Sequence, residues 1–154
     1  MDYFVAQLAG FWGAFTGLVL DPVTYLYMLS AMILGIVFGA LPGLTATLAV
    51  TILTGFFGNK VPIDYALIAL LGAYVGAIYG GSYPSILLNI PGTAASAATA
   101  MDGHPLARQG RGGEALGLTT TASLIGTLVG TAALLVFVWL LLAISSNIAS
   151  PEKA

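Results

Sequence analysis

"NIPGTAASAATAMDGHP", residues 89–105, decides how this chain is read. Two prolines, two glycines and a run of alanine, serine and threonine overlap a stretch that is uncharged from 65 to 101. A helix in lipid must satisfy its own backbone hydrogen bonds. Proline removes a donor and glycine frees the turn, so such breaks are tolerated at membrane depth where they face protein or a water-filled cavity. Thr93 stands about 13 to 14 Å of upright helix from Asp102, close to half of a ~30 Å hydrocarbon core. The break at Pro91 and Gly92 is therefore expected near the membrane midplane.

Outward from this segment the chain stays apolar. Of its 154 residues 58% are hydrophobic and 6% charged, and its mean hydropathy is +0.99; a soluble domain carries about a quarter charged residues. The charges gather at Asp2, Asp21, Lys60, Asp64, Asp102, Arg108, Arg111, Glu114, Glu152 and Lys153, leaving uncharged runs over 3–20, 22–59, 65–101 and 115–151. This is the pattern of an integral membrane protein. A net charge of -2 with four Lys and Arg argues against a nucleic-acid partner. The lack of cysteine excludes disulfides and thiolate chemistry, and His104, the single histidine, cannot build a metal site alone. The start, "MDYFVAQLAG", has no positive n-region and is read as part of the mature chain.

A straight span needs about 20 residues, so the last three runs are too long for one helix each. The expected fold is all-α and polytopic, one transmembrane domain over 1–154 with Pro-Gly-interrupted helices, discontinuous or re-entrant. Residues 3–20 read as an interfacial or short membrane helix, from Phe4, Leu8, Trp12, Phe15 and Val19 at helical spacing. Residues 22–58 form an interrupted segment, started by Pro22 and broken at "LPGL", and 65–101 form a second, broken at "PG". Residues 116–143 make a transmembrane helix. Its Thr120, Ser123, Thr127 and Thr131 fall beside Gly126 and Gly130, on a side that should pack against another helix. Between these, 102–114 is a loop whose Arg108 and Arg111 place it in the cytoplasm. The side taken by "NKVPID" then follows from whether 65–101 crosses the membrane once or returns.

At each break the following helix starts with unpaired N–H groups and the positive end of its dipole, the means by which discontinuous transporter helices hold anions. Asn89, Thr93 and Ser96 add side-chain donors at one break, while Pro42 and Gly43, followed by Thr45 and Thr47, offer the same chemistry at the other. The competing reading is structural. Proline and glycine are common in membrane helices, and threonine bonds back to the preceding turn. For Gly35 with Gly39, for Gly72, Gly76 and Gly80, and for Gly126 with Gly130, packing of the G-x-x-x-G kind is favoured. Backbone bonding is at least as good an account of the stripe Thr47, Thr51 and Thr54. Asp102, Arg108, Arg111 and Glu114 most simply make a solvated loop with local ion pairs. No enzyme is expected: "GGSYPS" has Pro84 where a nucleophile elbow needs glycine, and "GRGGEALG" has no P-loop lysine.

Three stretches, "GALPGLTATLAV", "GAIYGGSYPSILLNIPGTAASAATAMDGHPLARQGRGGEALG" and the threonine-rich helix after them, resemble the large membrane subunit of tripartite tricarboxylate transporters, the TctA-like family. Pro42, Gly43, Asn89, Pro91, Gly92 and Thr93 match its two motifs; Thr45 and Ala46 stand where members often read Gly-Pro. The likeness covers nearly all of this chain but only the N-terminal third of the family, so the chain reads as the N-terminal part of a larger transporter fold. The resemblance implies a multi-pass protein of the bacterial inner membrane that takes up citrate-like di- or tricarboxylates. It also implies work with a small membrane subunit and a periplasmic solute-binding protein, driven by an ion gradient. The substrate-binding set is then Pro42, Gly43, Thr45, Asn89, Pro91, Gly92, Thr93 and Ser96. No cofactor is expected beyond a coupling Na+ or H+. The rival is a structural membrane module that only assembles with partner helices.

Overall fold

The computed structural model describes residues 2–57 and 60–148. Gly58, Asn59 and the tail carrying Glu152 and Lys153 lie outside the described residues. The elements are α1 (Asp2–Leu20), α2 (Pro22–Ala40), α3 (Ala46–Phe57), α4 (Ile63–Gly80), α5 (Ser82–Leu88), α6 (Ser96–Leu106), a π-helical turn (Ala107–Arg111) and α7 (Gly112–Ile148), with no strand among the described residues. By length and composition three stretches could cross a membrane: Pro22–Ala40, Ile63–Leu88 and Ser96–Val138. The chain divides into two compact units, Met1–Leu116 and Gly117–Ala154.

The first unit is organised by α2 and α4, whose backbones touch through glycine. A Cβ on Gly35 or Gly39 of α2 would collide with the carbonyls of Ala73 and Ala77 on α4, and one on Gly76 or Gly80 of α4 with those of Met32 and Ile36 on α2. The partner positions rise together along both helices, so α2 and α4 run in the same direction. Ala69, Ala73 and Ala77 are wholly buried in this seam. Small residues at four-residue spacing allow such contact, which substitutes for the hydrophobic driving force that lipid does not supply.

Helix α3 runs back alongside the pair. Its first turn, Ala46 and Ala49, clusters with Ala77, whereas Phe57 at its end packs with Ala31, Ala69 and Ala73. Tyr27, Phe57 and Tyr65 form an aromatic group there, with Tyr27 stacked on Tyr65 at 5.4 Å. Thus 22–57 is a hairpin: α2 advances about 27 Å from Asp21 to Gly39, and the shorter α3 returns about 18 Å.

Asp21 ties this end together. One carboxylate oxygen caps α2, accepting from the Val23 amide at 3.0 Å, and the other accepts from the Tyr65 hydroxyl at 2.6 Å. The Tyr65 bond, followed by the Val23 amide, holds the Asp21 carboxyl below its usual value of 3.8. A depressed folded value means the contribution is complete above 3.8 and is lost as pH falls through the lower folded value. Thermal unfolding in detergent between pH 6 and pH 2 should therefore show wild type losing stability at the acid end. Asp21→Asn, which still caps the helix, should lose less; equal acid losses in both proteins would contradict the tie.

Two expectations are corrected. The segment 102–114 is not a loop. α6 continues through Pro105 and on past Leu106, the chain kinks at Gly110, whose φ of 80 is non-helical, and a separate helix, α7, follows from Gly112. Alanine, leucine, arginine, glutamine and glutamate are good helix formers, and the polar character of the stretch concealed that. The expected ion pairing is present: Arg111 grips Glu114 with two 2.7 Å bonds, both side chains about half exposed, a pair worth little in water. The second correction concerns 65–101, where α4 gives way to α5 at Gly81, which keeps right-handed helical angles, in addition to the break at 89–95. Pro84 supplies no amide to the Gly80 carbonyl and its ring crowds it, which separates α4 from α5.

In the second unit α7 exposes Thr120, Ser123, Thr127 and Thr131. A Cβ at Gly126 or Gly130 would meet no atom of the described residues. The packing expected of this side has no counterpart among the described residues.

Candidate functional site

The two Pro-Gly breaks look alike in sequence and are built for different reasons. At the first, the Leu44 amide donates to the Leu41 carbonyl at 3.1 Å, and Gly43 takes φ 93. Proline followed by a positive-φ glycine is the arrangement of a type II turn. It reverses the chain from α2 into α3. Nothing crowds Gly43, so the requirement there is conformational.

At the second break the requirement is space. A Cβ on Gly92 would collide with the Gly39 carbonyl and lie 2.8 Å from the Gly81 Cα and 3.2 Å from the Pro84 ring. The Gly92 amide donates to the Gly81 carbonyl at 3.4 Å, which also accepts from the Ser85 hydroxyl at 2.8 Å. Thr93 lies against Gly81, where a Cβ would be 2.8 Å from its side chain. The segment 89–95 is thus folded back onto the α4–α5 junction. Both breaks consequently adjoin the same turn of the α2–α4 pair: Gly39 touches Gly92, and Ala77 touches both Gly39 and the start of α3.

Helices α4, α5 and α6 all advance in one direction. Thr93 sits at the level of Gly81, while Gly103 and His104, further along α6, meet Ile86 of α5. The chain climbs α5, drops back through 89–95 and climbs again in α6. Ile63 and Arg108 therefore lie at opposite ends of one continuous traverse, with the breaks about 27 Å from the Ile63 end.

The predicted site residues are distributed as follows. Asn89 takes the left-handed conformation at φ 57 as the C-cap of α5, and the Ile90 amide reaches back to the Pro84 carbonyl at 3.2 Å. This is a Schellman-type ending in which asparagine is one of the few residues accepted. The Asn89 residue is exposed, as are Pro42, Gly43, Thr45 and Pro91, whereas Gly92 and Ser96 are buried and Thr93 is half-buried. Thr45 caps α3, its hydroxyl accepting from the Leu48 amide at 3.2 Å.

Thr93 and Ser96 cap α6 reciprocally. The Thr93 amide donates to the Ser96 hydroxyl oxygen at 3.1 Å, the Ser96 amide to the Thr93 hydroxyl oxygen at 3.3 Å, and the Ser96 hydroxyl to the Thr93 carbonyl at 2.8 Å. These groups serve as a capping box. Donors without an acceptor among the described residues include the amides just inside each cap, Ala46 and Thr47 at the start of α3 and Ala94 and Ala95 immediately before α6, together with the hydroxyl hydrogens of Thr45 and Thr93, whose oxygens accept in the caps. These amides are the orphan first-turn N–H groups of a helix. The sequence reading expected such amides at each break without naming these residues. Thr-x-x-Ser at 93–96, and threonine directly after a Pro-Gly turn, were the available signals. Ala46 occupies the first position of α3, where proline is well tolerated, so a Gly-Pro reading at 45–46 fits the same turn.

Other polar candidates serve the backbone. Thr51 and Thr54 bond back to the Thr47 and Val50 carbonyls, each at 2.8 Å. A groove of about 450 Å³ between α2 and α3 is walled by residues such as Leu34, Phe38, Ile52 and Phe56. Ser30, its hydroxyl-bearing serine, already donates to the Tyr27 carbonyl at 3.1 Å. It offers a carboxylate nothing. No group of three or more His, Cys, Asp or Glu able to hold a metal occurs among the described residues.

No solved structure matches the chain significantly. Among curated proteins, "Uncharacterized 52.8 kDa protein in TAR-I ttuC' 3'region" of Agrobacterium vitis is 36% identical over 133 residues, which are 86% of this chain and 26% of that protein. The chain thus spans about a quarter of the length of that relative. Residues 25–154 match the tripartite tricarboxylate transporter TctA family, and with most of its length inside that match the chain belongs to this family.

Proposed function

We propose that the chain forms part of the membrane component of a carboxylate carrier and that its two breaks hold the substrate's carboxylates. One observation carries the reading: the turn at 89–95 seats Gly92 on the Gly39 carbonyl, in the last turn of α2 just before the turn at 41–45, and each turn is followed by a helix with two unbonded amides. In membrane terms 22–57 is a re-entrant hairpin and 63–106 a discontinuous span, with Arg108 and Arg111 on the cytoplasmic side of a bacterial inner membrane. A small membrane subunit and a periplasmic binding protein that delivers substrate complete the transporter.

Charge magnitudes extend the reading. Two helix N-termini supply about one positive charge together, each acting as roughly half of one. A tricarboxylate carries two or three negative charges near neutrality, and neither break contributes a lysine or arginine. A co-bound Na+ or H+, or groups outside this chain, supply the remainder, which couples uptake to an ion gradient.

The test is citrate binding to the complete transporter in liposomes, with and without Na+ and across pH 6 to 8, for wild type and Ala94→Pro. Proline suits the first helical position and removes only the amide. Losing a hydrogen bond to a charged group, about 1.5 to 3 kcal/mol, should weaken affinity roughly ten- to a hundredfold with membrane insertion unchanged. Equal affinity in the two proteins would reject the site, and affinity indifferent to both Na+ and pH would reject the coupling.

The rival, a purely structural module, draws support from the α2–α4 seam and from the capping roles of Asn89, Thr45, Thr93 and Ser96. It requires Ala94→Pro to be silent.

A further inference from the structure

We propose that His104 is a positioning residue for the carboxylate site, fixing α6 against α5 so that the amides of Ala94 and Ala95 are held in place. The inference rests on the carboxylate site proposed above. His104 Nδ1 lies 3.0 Å from the Ile86 carbonyl oxygen. A carbonyl only accepts, so Nδ1 carries the proton and donates. The bond fills a specific need. Ile86 is wholly buried in the last turn of α5, and the amide that would ordinarily serve its carbonyl, that of Ile90, is drawn away to Pro84 by the left-handed cap at Asn89. The geometry that ends α5 therefore leaves a buried acceptor, and His104 supplies its donor from the neighbouring helix.

The same turn of α6 receives the Ile86 side chain. A Cβ on Gly103 would stand 2.8 Å from the Ile86 Cγ1, so glycine at 103 lets α6 close onto α5, and histidine at 104 then reaches the carbonyl. At the opposite end α6 is fixed by the Gly92 amide on the Gly81 carbonyl and by Thr93 against Gly81. A rigid helix attached at both ends has a defined position for its first turn. Releasing the Ile86 attachment leaves α6 held only at Gly92 and Thr93, and tilting of the helix about that contact changes the direction in which the adjoining Ala94 and Ala95 amides point. Preorganisation of this kind acts on affinity by removing an ordering cost from binding.

Substitutions that separate the two ring nitrogens test this. Asparagine places its amide nitrogen near the position of Nδ1, glutamine places it near Nε2, and leucine has no donor. In the complete transporter, hydrogen exchange of the bonded amides within 90–97, those of Ile90, Gly92, Thr93, Ser96 and Ala97, should accelerate in His104→Leu and His104→Gln and remain near wild type in His104→Asn. Citrate affinity should follow the same order, weakened about tenfold in the first two and within about twofold in the third. Asparagine as damaging as leucine, or wild-type exchange at 90–97 in His104→Leu, would overturn the role. The exchange is read without ligand. If wild type fails to bind any carboxylate yet the exchange contrast persists, the proposed substrate is wrong and the clamp stands; if citrate binds while exchange is indifferent to residue 104, the clamp is wrong and the site stands.

Discussion

Replacing Gly92 with leucine will abolish carboxylate binding while the protein still inserts in the membrane. The site of a new Cβ is enclosed by the Gly39 carbonyl, the Gly81 Cα and the Pro84 ring. None of these is the far end of a flexible side chain, so the loop has to leave its seat. Overpacking of a tight site costs about 1 to 3 kcal/mol for small additions, and a four-carbon side chain demands more than local adjustment. With the loop displaced, the Gly92 to Gly81 bond breaks and the α6 amides leave the turn they share with α3. We expect citrate affinity to fall more than a hundredfold, measured by calorimetry on reconstituted transporter, with Gly92→Ala intermediate. Apolar substitution does not weaken the insertion signal, so membrane fractionation should be unchanged. Normal binding by the leucine variant would remove the loop from the site.

The second large effect is expected at Gly39, where the two breaks and the helix seam converge. Its Cβ would collide with the Ala77 carbonyl, and its own carbonyl contacts Gly92. Gly39→Leu should force α2 from α4 and lower the thermal stability of the first unit in detergent by several kcal/mol, beyond the range of ordinary overpacking. Gly126→Leu is the control. No described atom lies near a Cβ at that position, so the stability of the first unit should not change. Equal stability in the Gly39 and wild-type proteins would refute the backbone contact between α2 and α4.

Much of this architecture was legible in the sequence because it rests on patterns that lipid makes strict. The glycines at 35 and 39 and at 72, 76 and 80 announce a close helix seam, and they form it. Proline at 22 and the breaks at 42–43 and 91–92 fall where helices start and stop. Less visible was what distinguishes two identical dipeptides. Gly43 is needed for its positive φ and Gly92 for its missing Cβ, and that difference depends on what lies opposite, which local sequence does not encode. The helical character of 102–114 was hidden for a related reason. Arginine and glutamate signal a membrane edge, and they do not by themselves signal a loop.

Unpaired amides at each break were expected from the sequence, but the residues named for the candidate site were those that make the turns and caps rather than those that carry the free amides. The hydroxyl oxygens at 45, 93 and 96 each accept in a cap, and Ser96 also donates its hydroxyl to the Thr93 carbonyl, while Thr45 and Thr93 keep an O–H to donate. The orphan amides belong to alanines and to Thr47, whose types suggest nothing. Ala94 and Ala95 matter through position alone, as the first residues after a cap. His104 was set aside for want of a second ligand, although its partner is the Ile86 carbonyl made available by the ending of α5.

The most direct measurement is a citrate titration of the complete transporter with 15N-labelled alanine, following the amide resonances of Ala94 and Ala95. Carboxylate oxygens bonded to these N–H groups should shift both amide protons downfield, saturably and at the concentration that half-saturates binding, while the Ala73 amide, buried in the helix seam, stays still. Saturable citrate binding that leaves both resonances unmoved would contradict the claim that the broken helices hold their substrate by the backbone.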